Sequence, residues 1–167
     1  LTYVTVNLGI IMILKIGSGK VADGTTVSDF DPEEIRRKIS ASLSVCHAIV
    51  NGVKINLVDV PGFVDFESEK TAALAACESA LIVIEAEKNL SVGAEQALRF
   101  VREHKIPAIV FINGVDKENA DYFGAVHALR ELLPSAAVPI QIPVTENGKM
   151  QGYISLMSGN TYDFTPE

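Results

Sequence analysis

Two short segments end apolar runs with side chains that could contact a nucleotide. The first, residues 59–62, reads Asp-Val-Pro-Gly and follows the largely apolar run 55–58. In an open α/β sheet, ligands bind beyond the carboxyl ends of the strands, so residues at this position are placed for chemistry. The Asp59 carboxylate can orient a metal-bound water, and Gly62 lets a backbone N–H approach a phosphate. The segment therefore suits a loop that contacts magnesium and a terminal phosphate.

The second segment, residues 113–116, reads Asn-Gly-Val-Asp and follows the apolar run 109–112. Its last carboxylate, that of Asp116, can accept two hydrogen bonds from the N1–H and N2–H₂ edge of guanine. Adenine does not offer that pair of donors. Together the two segments predict a domain that binds GTP.

Size and charge limit the classes of function. With 167 residues, of which 48% are hydrophobic and 21% charged, the chain has the composition of one soluble domain with a buried core. Its longest apolar stretch, residues 8–14, is too short to span a bilayer, so we expect no membrane partner, no signal peptide and a cytoplasmic location. The net charge of −7 argues against autonomous nucleic-acid binding, which depends on clustered lysine and arginine.

The pattern of apolar residues predicts an α/β fold. Asn51-Gly52 is a strong hairpin signal and separates two strand-like segments, 42–50 and 53–58. Apolar runs predict three further strands, at 80–84, 107–113 and 138–142. Helical spacing predicts three helices, at 67–78, 92–104 and 121–133. This alternation implies a mostly parallel sheet with one antiparallel hairpin, in which the strand ending at Ile84 lies between those ending at Asp59 and Asn113.

Four stretches together resemble one protein family. Residues 21–34 read Val-Ala-Asp-Gly-Thr-Thr-Val-Ser-Asp-Phe-Asp-Pro-Glu-Glu, residues 55–62 end in Asp-Val-Pro-Gly, residues 111–116 read Phe-Ile-Asn-Gly-Val-Asp, and residues 138–143 read Val-Pro-Ile-Gln-Ile-Pro. In this order they look like the first switch, the second switch, the guanine-recognition loop and the entry to an insert in the G domain of elongation factor G. From residue 20 onward the chain resembles that G domain, and most closely those of elongation-factor-G-like proteins.

The resemblance implies a P-loop GTPase fold with a three-layer, mostly parallel sheet. Residues 1–142 would form a partial GTP-binding domain, and residues 143–167 would begin an inserted subdomain. The family binds GTP or GDP with Mg²⁺ and hydrolyses GTP on the ribosome, which would be the partner during translation. Positioning and electrostatics supply most of the catalysis in that reaction class.

The resemblance also assigns roles to single residues. Asp59 would hold the metal through water, and Ser40 would complete the metal shell through its hydroxyl. Gly62 would contact the γ-phosphate, and Asn113 with Asp116 would select guanine. A solvated serine ahead of a strand is an equally good account of Ser40.

The phosphate-binding loop departs from the family pattern. That loop reads Gly-x-x-x-x-Gly-Lys followed by Ser or Thr and opens a helix, but residues 17–20, Gly-Ser-Gly-Lys, supply only its second half. Leu14 replaces the first glycine, and Val21 replaces the magnesium-binding hydroxyl. The segment is either a degenerate nucleotide-binding loop that includes Lys20 or a flexible connector, and the missing helix favours a connector.

Two single residues depart as well. Gly114 stands where the family has a lysine whose aliphatic stem lies over guanine, a loss of about 1–2 kcal/mol of nucleotide affinity. Phe63 stands where ribosome-activated factors usually carry the histidine that positions the attacking water, so no catalytic residue is assigned. We therefore expect weak binding of GTP and Mg²⁺ and impaired hydrolysis. The alternative is a non-catalytic scaffold or interaction module that keeps the GTPase fold without binding nucleotide.

Overall fold

The computed structural model describes residues 5–7, 11–13, 25, 31–37, 42–50, 52–60, 73, 76–146 and 149–164. It divides the chain into two units, residues 1–80 and residues 81–167. Within the described residues, no helix has the length and apolar character needed to cross a membrane.

The first unit contains one short helix and two pairs of antiparallel strands among its described residues. In chain order these elements are β1 (Thr5–Asn7), β2 (Ile11–Ile13), α1 (Pro32–Arg37), β3 (Ser44–Val50) and β4 (Val53–Asp59). β1 pairs with β2, and β3 pairs with β4. Of the predicted helix 67–78, Ala73 and Ala76 are helical and Cys77 and Glu78 are not, while its other residues lie outside the described part of the chain.

The β3–β4 hairpin follows from its turn sequence. The register pairs Val50 with Val53, so Asn51 and Gly52 alone separate the strands. Gly52 has a φ of 79°, which a two-residue hairpin turn requires and glycine adopts without strain. The predicted antiparallel hairpin is therefore confirmed, and its second strand ends at Asp59.

The rest of the described chain alternates strands and helices before it ends in a small sheet. In chain order its elements are β5 (Ala80–Glu85), α2 (Val92–Glu103), β6 (Ala108–Asn113), α3 (Tyr122–Leu132), β7 (Gln141–Glu146), β8 (Lys149–Ser155) and β9 (Thr161–Asp163). The predicted strands 80–84 and 107–113 and the predicted helices 92–104 and 121–133 agree with these bounds to within one residue at each end.

Both helices of the second unit begin at a side chain that accepts a backbone hydrogen bond. Ser91 Oγ accepts from the N–H of Ala94 at 3.3 Å, and Asp121 Oδ1 accepts from the N–H of Gly124 at 2.8 Å. The first N–H groups of a helix have no partner within it. A side chain that accepts from one of them stabilises the helix by about 1 kcal/mol. These caps explain why α2 and α3 start where they do.

The core of this part is apolar and is built from β5 and both helices. On β5, Ile82 and Ile84 are buried while Val83 between them is 48% exposed. That alternation has the period of two that a strand imposes on its side chains. The buried apolar residues of the two helices are Ala94, Leu98 and Val101 on α2 and Ala125 and Leu129 on α3.

β5 and β6 are hydrogen-bonded neighbours in a two-stranded sheet. The N–H of Ala86, just after β5, donates to the carbonyl oxygen of Asn113, the last residue of β6, at 2.8 Å. Because that bond joins the carboxyl ends of the two strands, the strands run parallel. Polar residues that close these strands therefore share one edge, as a ligand site of an α/β sheet requires.

The strand predicted at 138–142 is wrong in its bounds and in its pairing. The structure instead has β7 at Gln141–Glu146, antiparallel to β8, which in turn pairs antiparallel with β9. Glu146 pairs with Lys149, so the two residues Asn147-Gly148 separate β7 from β8 and are the same hairpin signal as at residues 51–52. The boundary predicted between residues 142 and 143 falls within β7.

We expect Leu98→Ala to lower the free energy of unfolding by about 2–5 kcal/mol. The Leu98 side chain is 1% exposed, so its truncation leaves a cavity in the core. Val92→Ala is the matched control on the same helix, since Val92 is 64% exposed and its truncation should cost less than about 0.5 kcal/mol. Urea denaturation followed by circular dichroism measures both. Equal losses for the two variants would contradict the burial of α2.

Candidate nucleotide-binding site

The predicted site residues fall into three groups in the structure. Asn113 and Asp116 lie together after β6 in the second unit, and Asp59 ends β4 in the first unit. The others lie outside the described residues, and they are Lys20, Ser40, Gly62 and Phe63. The structure therefore places Asn113 and Asp116 in one loop, and the predicted roles of all these residues stay predictions.

Ala86 holds both ends of the loop at residues 113–121. Its N–H donates to the carbonyl oxygen of Asn113 at 2.8 Å, and its carbonyl oxygen accepts from the N–H of Asp121 at 2.7 Å. Ala86 is only 3% exposed, and buried backbone groups must be paired. The loop thus leaves β6 and enters α3 at one fixed place.

Two turns follow each other inside this loop. The N–H of Lys117 donates to the carbonyl oxygen of Gly114, and the N–H of Ala120 donates to that of Lys117, each at 3.1 Å. Asp116 is exposed and Asn113 is half-buried. An exposed carboxylate on a backbone that is held at both ends can accept hydrogen bonds from a ligand without a large rearrangement.

Gly114 occupies a place that other residue types would strain. Its φ is 72°, in the left-handed region, and the residue is buried. A Cβ at this position would lie 2.8 Å from Glu85 Oε2 and 2.9 Å from Lys117 Cε. A lysine at this position, which the sequence resemblance leads one to expect, would meet the Lys117 side chain that already passes there.

Lys117 and Glu85 form an ion pair across Gly114. Lys117 Nζ lies 2.5 Å from Glu85 Oε2, and the two side chains are 63% and 47% exposed. The hydrogen bond to Glu85, followed by the charge of that carboxylate, raises the pKa of Lys117. Glu87 and Asp116 add smaller effects in the same direction, so the ammonium stays charged at physiological pH.

Sequence reasoning did not identify Glu85 or Lys117 as site residues. One signal was available for each of them. Glu85 directly closes the apolar run 80–84, as Asp59 and Asn113 close theirs, and Lys117 directly follows Asp116. Their pairing joins residues that are 32 positions apart, which no local pattern indicates.

Asp59 lies at the end of β4 opposite Ser44 and is half-buried. Burial, and secondarily the charge of Asp59, raises the pKa of the neighbouring Cys46 thiol. Among the described residues, no three carboxylate, imidazole or thiol side chains form a cluster that could hold a metal. Mg²⁺ in nucleotide sites is bound through one or two carboxylates, waters and phosphates, so a single strand-ending carboxylate such as Asp59 has the chemistry that such a site needs.

Glu34 fixes the helix in the predicted first switch. The carboxylate is 2% exposed, and its oxygens accept from the N–H of Asp31 at 3.1 Å and from the N–H of Ser42 at 3.0 Å. The first of these bonds closes a capping box at the start of α1. The second joins α1 to Ser42, which lies two residues before β3.

A shallow groove between α2 and α3 is separate from these residues. It has a volume of about 460 Å³ and is lined by Lys88, Asn89, Leu90, Glu95, Arg99, Ala128, Glu131 and Leu132. Its charges are mixed, and no predicted site residue contributes to it. The groove therefore offers no rival set of nucleotide-binding groups.

Comparison with known proteins identifies a family and its members. The sequence model of the elongation factor Tu GTP binding domain matches residues 9–162. The chain is 33% identical to a mitochondrial ribosome-releasing factor 2 of Culex quinquefasciatus (84% of this chain, 19% of that protein). It is 31% identical to elongation factor G of Chlamydia trachomatis serovar D (89% and 22%) and 37% identical to elongation factor G 2 of Streptomyces coelicolor (78% and 19%). The chain thus spans about a fifth of the length of these relatives.

A solved structure shows the same fold. A crystal structure of a Thermus thermophilus protein superposes with a TM-score of 0.80 at 31% sequence identity, covering 88% of this chain and 22% of that one. The likeness to elongation factor G inferred from sequence motifs is confirmed by the family model and the elongation factor G relatives, and the solved structure confirms the fold.

We expect Gly114→Ala to lower the free energy of unfolding by about 1–2 kcal/mol, because alanine is strained at a positive φ. Gly159→Ala is the matched control, since Gly159 has a φ of 73° but no atom within 4 Å of an added Cβ. Urea denaturation should show similar losses for both variants. Only Gly114→Ala should also change the NMR signals of the Lys117 side chain, because it displaces the ion pair. An unchanged Lys117 spectrum in Gly114→Ala would contradict the described contact.

Proposed function

This chain belongs to the elongation factor Tu GTP-binding domain family, and from that premise we propose that it is the G domain of an elongation-factor-G-like translation GTPase. The observation that carries the proposal is the loop at residues 113–121. Its backbone is held at both ends by Ala86 and presents Asp116, exposed, beside Asn113. A carboxylate held there can accept the two donors on the edge of guanine.

The remaining roles follow from the position of each residue relative to family motifs. Asp59 would hold Mg²⁺ through water, with Ser40 completing the shell. Gly62 would contact the γ-phosphate, and Lys20 would contact the phosphates from the incomplete loop. Bound Mg²⁺ would neutralise charge on the phosphates, as it does throughout this reaction class.

The proposed architecture extends the parallel β5–β6 pair. A three-layer, mostly parallel sheet with one antiparallel hairpin is the arrangement that the family fold supports. In it, residues 1–142 form a partial GTP-binding domain, and residues 143–167 begin the inserted subdomain. The ribosome is the partner expected of a translation factor, and the cytoplasm is the expected location.

We further propose that nucleotide binding and turnover are impaired in this chain. Residues 14–21 keep only half of the phosphate-binding pattern, and Phe63 cannot position a water as a histidine does. Consecutive backbone N–H groups and a helix N-terminus normally supply much of the phosphate affinity. A domain of net charge −7 cannot replace them with scattered lysines.

Base selection can be tested by Asp116→Asn. An amide cannot accept both guanine hydrogen bonds, so the preference for GTP over ATP should fall by about tenfold or more. Asp163→Asn, which changes an exposed aspartate on β9, should leave the preference unchanged. The preference is measured by letting GTP or ATP compete with a fluorescent guanine nucleotide for binding to each variant. Equal displacement by ATP and GTP from the unaltered chain would contradict a guanine site.

Impairment can be tested by calorimetry with Mg²⁺ and GTP together with a phosphate-release assay. Loss of roughly 4 kcal/mol of phosphate contacts would weaken affinity about a thousandfold, so we expect no binding tighter than about 1 μM and negligible turnover. A variant with a complete Gly-x-x-x-x-Gly-Lys-Thr loop and its helix should bind more tightly. Sub-micromolar affinity of the unaltered chain would instead show that residues 17–20 form a working phosphate loop.

A further inference from the structure

The Lys117 side chain lies in the space that a side chain at position 114 would enter. A Cβ built on Gly114 would lie 2.9 Å from Lys117 Cε and 3.1 Å from Lys117 Cδ. Position 114 is where the sequence resemblance expects a lysine whose stem covers guanine. The stem of a different lysine, three positions later, thus occupies the space beside Gly114 that a Cβ would enter.

Two bonds of Lys117 and one backbone bond beside its partner position this stem. Lys117 Nζ bonds to Glu85 Oε2 at 2.5 Å, and the backbone N–H of Lys117 bonds to the carbonyl oxygen of Gly114 at 3.1 Å. Ala86, which follows Glu85, bonds to Asn113, so the anchoring carboxylate and the loop are joined through adjacent backbone. The ammonium and the backbone N–H of Lys117 thus each have a bonding partner, which limits the freedom of the methylenes between them.

One side of this stem remains open to a ligand. The Lys117 side chain is 63% exposed, although it contacts Gly114 and Glu85. An aliphatic stem whose charged head is held elsewhere offers apolar surface, and a planar base can pack on it. The neighbouring residue, Asp116, carries the carboxylate that matches the edge of guanine.

We propose that Lys117, anchored by Glu85 across Gly114, is the residue that covers the face of the guanine base in this chain. This inference rests on the proposed function, because it concerns the same base site. Asp116 then recognises the edge of the base and Lys117 covers its face. Glycine at position 114 is what this arrangement requires, since any larger side chain would displace the Lys117–Glu85 pair.

The test uses guanosine monophosphate and the full 167-residue chain, because a monophosphate probes the base site with little dependence on the incomplete phosphate loop. Binding is followed by NMR shifts of the backbone amides of residues 113–121. Lys117→Ala should weaken guanosine monophosphate binding about five- to tenfold through lost apolar cover. Lys117→Met, which keeps an unbranched stem, should fall between that variant and the unaltered chain.

Two controls separate base cover from general damage. Lys105→Ala removes an exposed lysine before the other end of β6 and should leave binding unchanged. Adenosine monophosphate should lose affinity by a similar factor in Lys117→Ala, because a stem packs on either purine, whereas Asp116→Asn should reduce the guanine preference. An unchanged unfolding midpoint in Lys117→Ala would show that the fold is intact.

An exchange of the two positions gives the sharpest result. Gly114→Lys combined with Lys117→Ala should bind guanosine monophosphate more tightly than Lys117→Ala alone, because the stem introduced at position 114 can then cover the base. Lys117→Ala binding guanosine monophosphate as tightly as the unaltered chain would overturn the inference and leave the proposed function standing. Absence of any shift in loop 113–121 of the unaltered chain would overturn both.

Discussion

Ala86 uses both of its backbone polar groups to hold loop 113–121, and the chemistry of the second unit depends on these two hydrogen bonds. The residue is 3% exposed, so water cannot replace either bond if the loop shifts. The bonds bring the carboxyl end of β5 against that of β6 and set the start of α3. As a consequence, the carboxylate of Glu85 comes within reach of a loop that follows it by about thirty residues in sequence.

The position of Glu85 leads to a different interpretation of Gly114. From the sequence resemblance alone, glycine at this position means that an expected lysine is missing and that affinity for the guanine base is lower. In the structure its missing Cβ leaves space for Lys117, whose ammonium is held by Glu85. A substitution and its compensation are thus contained in one loop.

Local signals in the sequence predicted most helices and strands of the second unit, but they could not predict contacts between residues far apart in the sequence. Apolar runs and helical spacing placed β5, β6, α2 and α3 within one residue, because caps such as Ser91 and Asp121 mark the helix starts. The strand predicted at 138–142 was wrong because the strand-helix alternation was extended past α3, whereas β7 begins at Gln141 and pairs with β8 through a tight turn. Asn113 and Asp116 could be identified because their own types carry the chemistry. The Lys117–Glu85 pair could not, since it depends on the parallel pairing of β5 with β6.

Intermolecular nuclear Overhauser effects between guanosine monophosphate and the isotope-labelled chain test the central claim most directly. We predict contacts from the protons of the purine five-membered ring and the anomeric ribose carbon to the Lys117 methylenes, together with slowed exchange of the guanine N1 proton opposite Asp116. Contacts confined to the groove between α2 and α3, near Arg99 and Glu131, would contradict a guanine site on loop 113–121.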